Sequence, residues 1–183
     1  MKIVRLLSLA FIATFMFSAV SAQSSGTLVL ADGTTLTGSI KNNISRNASV
    51  QIQTDGKKKT YTAAQLTSAQ VEGVNYRCIS GDFFKVICTG NLCFLQKASD
   101  ASGTITYNGT EAVVNNGTDG KPGDYFLFNT TKNNLQLVSA KNLEEVIQQN
   151  FSGNAAAIEK ARTAAADISQ LKEAVTIFNN DSK

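Results

Sequence analysis

Two apolar runs, Phe83–Cys88 and Leu92–Leu95, are separated only by Thr89-Gly90-Asn91, and no other stretch limits the fold as strongly. Both runs have high strand propensity. Gly followed by Asn suits a two-residue hairpin turn. With Gly90 and Asn91 in the turn, Thr89 lies opposite Leu92 and Cys88 opposite Cys93. Side chains alternate faces along a strand. Phe84, Val86, Cys88, Cys93 and Leu95 then share one face, with Phe83, Ile87, Leu92 and Phe94 on the other. Both faces are apolar, which predicts a central hairpin covered on both sides.

That register makes a Cys88–Cys93 disulfide sterically feasible, because directly opposite Cβ atoms are about 4.5–5.5 Å apart. A rival register puts Thr89-Gly90 in the turn, with Cys88 facing Asn91 and Val86 facing Cys93. Cys78 then becomes a candidate partner for either cysteine. Three cysteines allow at most one internal bridge and leave one thiol over. The competing expectation is that some or all are small buried apolar residues.

The chain begins with a pattern expected of a secretory signal peptide, Met1–Ala22. Lys2 and Arg5 give a basic start, Leu6–Val20 an apolar stretch, and Val20-Ser21-Ala22 the small residues of a cleavage site. The apolar stretch is short for a membrane span, which needs about 20 residues. Cleavage before Gln23 is therefore expected, with no transmembrane segment afterwards. The destination is an exported one: periplasm, cell surface or extracellular space, where disulfides are permitted.

Cleavage would remove two basic residues and no acid, taking the charge from +3 to +1. So even a balance argues against a nucleic-acid partner, which demands a concentrated basic surface. The one basic cluster, Lys57-Lys58-Lys59, directly follows the turn signal Asp55-Gly56 and reads as solvated hairpin lysines.

Residues 23–74 read as a β-meander or small barrel. Thr27–Ala31 and Thr34–Lys41 flank Asp32-Gly33, and Val50–Thr54 and Lys57–Thr62 flank Asp55-Gly56. Asn42–Asn47 is expected to be a loop, Ala63–Leu66 a helical turn and Val71–Val74 a further strand. Residues 75–138 form a second β-hairpin region. There Ala98–Asp124 looks like surface, with a hairpin at Thr104–Val114 turning at Asn108-Gly109. Strands follow at Asp124–Asn129 and Leu135–Val138.

Residues 139–183 change period. Leu143, Val146, Ile147 and Phe151 mark an amphipathic helix with Ser139 as its N-cap. Ala155–Ala165 is an alanine-rich helix with little to bury beyond Ile158. Asp167 or Ser169 caps a third, carrying Ile168, Leu171, Val175 and Phe178. Such short helices need a sheet or a partner to pack on. The predicted fold is α+β: mainly antiparallel strands, as a small barrel or curled sheet plus further hairpins, then a C-terminal cap of three short helices.

The chain has no histidine, which removes Ser-His-Asp and Cys-His catalysis and the usual zinc sites. No catalytic, cofactor-binding or metal-ligating residue is assigned, and no cofactor is expected. The carboxylates are scattered, and no phosphate-cradling glycine loop occurs. Asn115–Gly120 resembles the start of a calcium loop, but its twelfth position is Phe126, where a bidentate glutamate is required. Seven Asn-X-Ser/Thr triplets occur, including those at Asn47, Asn108 and Asn129; they matter only in a host that glycosylates exported chains.

The segments GTLVLADGTTLTGSI, FFKVICTGNLCFL, YFLF and KNLEEVIQQNF, with a closing IFNN, make the order of features resemble small uncharacterised exported proteins of Gram-negative bacteria. The resemblance implies no activity and carries over no site. Residues 26–74 are also similar to Sm-like or SH3-like barrels, an analogy of fold alone.

Three functional expectations follow. The first is a non-enzymatic binding or structural module for a protein or cell-envelope partner, with Thr104–Val114 as a contact surface. The second is an envelope enzyme built on Tyr76, Arg77, Cys78 and Asp82. The third is oligomerisation through the C-terminal helices.

Overall fold

The fold is seen in a computed structural model that describes residues 24–108, 111–114 and 117–181. The leader expected at Met1–Ala22 lies outside these residues, as do 109–110 of the Thr104–Val114 hairpin and 115–116 of the calcium-like loop.

The chain is α+β, as the change of period at Ser139 predicts. Among the described residues, ten antiparallel strands form one sheet, and β9 (Ile105–Asn108) and β10 (Glu111–Val114) form a separate pair. The ten are β1 (Ser25–Leu30), β2 (Thr35–Asn43), β3 (Ser49–Thr54), β4 (Lys57–Thr62), β5 (Leu66–Val71), β6 (Val74–Ile79), β7 (Asp82–Cys88), β8 (Leu92–Lys97), β11 (Tyr125–Asn129) and β12 (Asn134–Val138). Their spatial order is β12-β11-β8-β7-β6-β5-β1-β2-β3-β4. Both predicted β regions thus contribute to one sheet, and the Phe83–Leu95 hairpin lies in its interior.

Tight turns set the sheet's order. Three two-residue turns, Asp55-Gly56, Glu72-Gly73 and Ser80-Gly81, have positive φ at both positions (51° and 76°, 54° and 76°, 49° and 86°). That is the turn geometry whose twist matches a hairpin. Val71–Val74, expected to be a strand, is therefore the turn pair joining β5 to β6. Asn42–Asn47, expected to be a loop, divides between the end of β2 and a helical turn, α1 (Ile44–Asn47), whose Ile44 is buried.

One side of the sheet carries two cores. The N-terminal strands curl around Leu28, Ile40, Val50, Ile52, Tyr61, Leu66, Val71 and Phe83. Leu92, Phe94 and Leu127 pack beneath the helices α2 (Leu143–Asn150), α3 (Ala155–Arg162) and α4 (Leu171–Asp181). Phe83 and Ile87 are on the same face of β7 and belong to these two cores in turn, so both cores share a side.

The helices seat closely because the alanine-rich segment turns alanines inward. Ala157 and Ala161 of α3, and Ala164 in the turn that follows it, are fully buried, which corrects the expectation of little to bury beyond Ile158. Asn154 caps α3, accepting from Ala157 N at 2.8 Å, and Asp167 caps the short turn before α4. Asn142, not Ser139, precedes α2; its Oδ1 accepts from Ser139 N at 2.7 Å and Oγ at 2.9 Å. Asn179 of α4 reaches the central hairpin. It accepts from Leu92 N at 3.0 Å and donates to Leu92 O at 2.8 Å.

Candidate functional site

The opposite side of the sheet is where the sequence leaves polar and charged groups among apolar ones. Paired residues of neighbouring strands form rows across it. One row runs Val29, Ser68, Arg77, Phe84, Lys97. Another holds Thr27, Gln70 and Asn75 toward the N-terminal strands, and Val86, Leu95 and Phe126 toward the C-terminal ones. Beyond it lie Cys93 and Phe128, which pair with each other. Phe84, Cys93, Leu95, Phe126 and Phe128 form the core of this side.

One end of this side is closed by the residues following β8 and preceding β11. Asp82 and Lys97 both have fully buried side chains, and their charged groups lie 3.3 Å apart. Asp82 Oδ1 accepts from Ala101 N at 2.7 Å. Its Oδ2 accepts from Thr118 N and Oγ1, both at 2.8 Å. Lys97 Nζ donates to the carbonyls of Thr118 at 2.7 Å and Gly120 at 3.0 Å. Ser99 Oγ accepts from Phe83 N at 2.8 Å. A buried pair is tolerated only when its remaining hydrogen-bonding capacity is met, and here backbone groups meet it. The result is a clamp that holds a long polar connection against the sheet. Sequence reasoning assigned that connection to the surface and passed over Lys97.

The rest of the face stays open. A groove of about 610 Å³ is lined from five adjacent strands, β1, β5, β6, β7 and β8. Its apolar part is Val29, Val86 and Leu95, with Cys93; its neutral polar part is Thr27, Ser68, Gln70 and Asn75. Among the described residues, Arg77 is its one charged lining residue. The half-buried Arg77 side chain crosses toward β11, and its guanidinium carbon lies 4.4 Å from the centre of the Phe128 ring. Among the described residues, no carboxylate comes within 4.0 Å of Arg77.

The cluster Tyr76, Arg77, Cys78 and Asp82 does not assemble. Alternation sends Tyr76 and Cys78 into the N-terminal core and Arg77 and Asp82 to the other side of the sheet. Burial, and to a lesser degree Glu72, raises the Tyr76 hydroxyl above its ordinary range. Burial pushes the Cys78 thiol up to about 12, so it stays protonated and is a poor nucleophile.

All three cysteines are free. The predicted register holds at Val86–Leu95 but fails before the thiols meet. A bulge at Ile87 places Cys88 opposite Phe94. Cys88 thereby joins the helical side, with its Sγ 3.6 Å from Thr176 Oγ1, while Cys93 faces the groove side and donates to Gly90 O at 3.4 Å. No disulfide is seen, and the one-residue slip leaves Cys88 and Cys93 on opposite sides of the sheet. Cys78, the alternative partner, is partly buried against the N-terminal core.

The hairpin expected at Thr104–Val114 pairs Ile105 with Val114, both large apolar residues more than half exposed (56% and 58%). Asn108, expected in the turn, is instead paired with Glu111 at the end of β9. Among the described residues, no helix is long and apolar enough to cross a membrane.

Comparison with known proteins finds no matching family model, no matching curated protein and no matching solved structure.

Proposed function

We propose that this chain is an exported, non-enzymatic binding module whose binding surface is the open groove on the side of the sheet away from the helices. The observation that carries this reading is the groove itself. Its volume falls within the range of small-ligand sites, roughly 300–1,000 Å³. Its lining combines an apolar floor with a few polar side chains, the composition such sites use to bind and to orient. A β-sheet holds that lining rigidly, and strand-borne sites are better fixed than loop-borne ones. The leader pattern supports export.

Export is tested by mass spectrometry of the protein recovered from cell fractions. A chain beginning at Gln23 in an envelope or medium fraction agrees; a chain retaining Met1–Ala22 in the cytosol contradicts it. Binding is tested with the neutral fluorescent probe phenylnaphthylamine. Val86→Trp fills the groove floor and is expected to weaken probe binding about tenfold or more, with the thermal midpoint followed as a control for overpacking. Probe binding that Val86→Trp leaves unchanged would remove the groove from this role.

The enzyme reading loses its motive with the division of Tyr76, Cys78, Arg77 and Asp82 between two sides of the sheet. The oligomer reading loses its own in α3, whose small residues are taken up within the chain.

A further inference from the structure

Resting on the groove as the binding surface, we infer that its ligand is an amphipathic anion: an apolar body bearing a carboxylate, sulfonate or phosphate that pairs with Arg77. Three observations lead there. Among the described residues, the groove lining holds one formal charge, the Arg77 guanidinium, and no acid. Arg77 is half-buried as a residue, and among the described residues no carboxylate neutralises its guanidinium. Its recorded contact is the face of Phe128, which steadies the cation without consuming its hydrogen-bond donors.

The other buried cation of this face shows the contrast. Lys97 has Asp82 and backbone carbonyls around it, and its charge is internally satisfied. Arg77 is held in place against Phe128, and among the described residues no carboxylate pairs with it. A guanidinium presents a planar fork of donors that matches a carboxylate or phosphate in a bidentate way. Partial removal from water strengthens such a pairing over its value in bulk solvent. Ser68 lies directly across from Arg77 on β5, close enough to add a neutral hydroxyl to the anion's surroundings. Val86 and Leu95, paired across β7 and β8, offer the apolar body a surface. A neutral apolar ligand would leave the guanidinium partly desolvated and unpaired, which is a cost. A cationic ligand would meet repulsion.

A matched pair of probes tests the inference. Anilinonaphthalenesulfonate and phenylnaphthylamine share an aromatic body and differ by one sulfonate. The mature protein is expected to bind the anionic probe about tenfold more tightly, the scale of one charge-assisted hydrogen-bonded pair. Arg77→Met is expected to remove that preference while changing the neutral probe's affinity less than about threefold, the neutral probe reporting only apolar burial. Arg77→Lys should retain part of the preference, since it keeps the charge and loses the fork. Should Arg77→Met disturb folding, the unaltered protein still decides the matter: raising salt should weaken the anionic probe alone. Equal affinity for both probes, or an anionic preference that survives Arg77→Met, overturns the inference and leaves the groove reading standing. Binding of neither probe removes the groove reading itself.

Discussion

Lys97 shows how far one side chain can be from its apparent role. On the strand it follows Cys93 and Leu95 in alternation, and a terminal lysine there reads as the point where β8 meets solvent. Its ammonium is instead fully buried against Asp82 and the carbonyls of Thr118 and Gly120. The cause is not local, because Asp82 and Thr118 are 36 residues apart in sequence. No spacing rule connects them. Removing one partner of a buried pair strands the other, at roughly 3–5 kcal/mol. Lys97→Met is therefore expected to lower unfolding free energy by about 3–5 kcal/mol in urea titrations. A loss within the about 0.5 kcal/mol typical of exposed positions would mean the clamp is not formed. The sequence placed Arg77 only in a cluster with Tyr76, Cys78 and Asp82; alternation keeps Asp82 on its side of the sheet and sends Tyr76 and Cys78 to the other.

Hairpins divide into those the sequence announces and those it hides. Asp55-Gly56 is a recognised turn pair and forms where expected. Glu72-Gly73 adopts the same geometry with a first residue that carries little turn signal, and Ser80-Gly81 adopts it with a turn-favouring pair that lies just before the central apolar run. In the central hairpin the turn residues and the two apolar faces were readable. The bulge at Ile87 was not, since nothing in VIC marks an extra residue. It moves Cys88 alone to the other face and separates it from Cys93. Denatured protein purified without reductant should accordingly titrate three thiols per chain; a single thiol would establish a bridge and refute the bulged register.

Among the helices, Arg162 of α3 bridges to Glu144 of α2 at 2.9 Å. The Arg162 side chain, with Gln148, holds the Glu144 carboxyl down from 4.5 to about 2. A depressed carboxyl stabilises the fold above its ordinary value and loses that contribution as pH falls through the folded value. Stability attributable to this pair is thus present above pH 4.5 and disappears toward pH 2. The pair is exposed, so the effect is small and salt-sensitive. Glu144→Gln should flatten that part of the acid limb in urea titrations at low salt, and an unchanged limb would show the bridge contributes nothing.

At the scale of the whole molecule, one sheet has two differently finished sides. Apolar periodicity predicted strands before helices, and it predicted the helices' need for a sheet to pack on. It also predicted that the Phe83–Leu95 hairpin would be covered on both faces; apolar residues line both, but the groove leaves part of the second open. Which cover goes on which side depends on contacts between distant segments, which periodicity does not encode. The groove is a product of that arrangement: helices close one side, the clamped connection closes one end of the other, and Arg77 is left facing the remaining space. The most direct test follows backbone amide chemical shifts while anilinonaphthalenesulfonate is titrated into the protein. The account predicts shifts concentrated at Thr27–Val29, Ser68–Gln70, Asn75–Arg77, Val86 and Cys93–Leu95, with the outer faces of α2 and α3 unmoved. Shifts centred on the helices or on the Ile105–Val114 hairpin would contradict it.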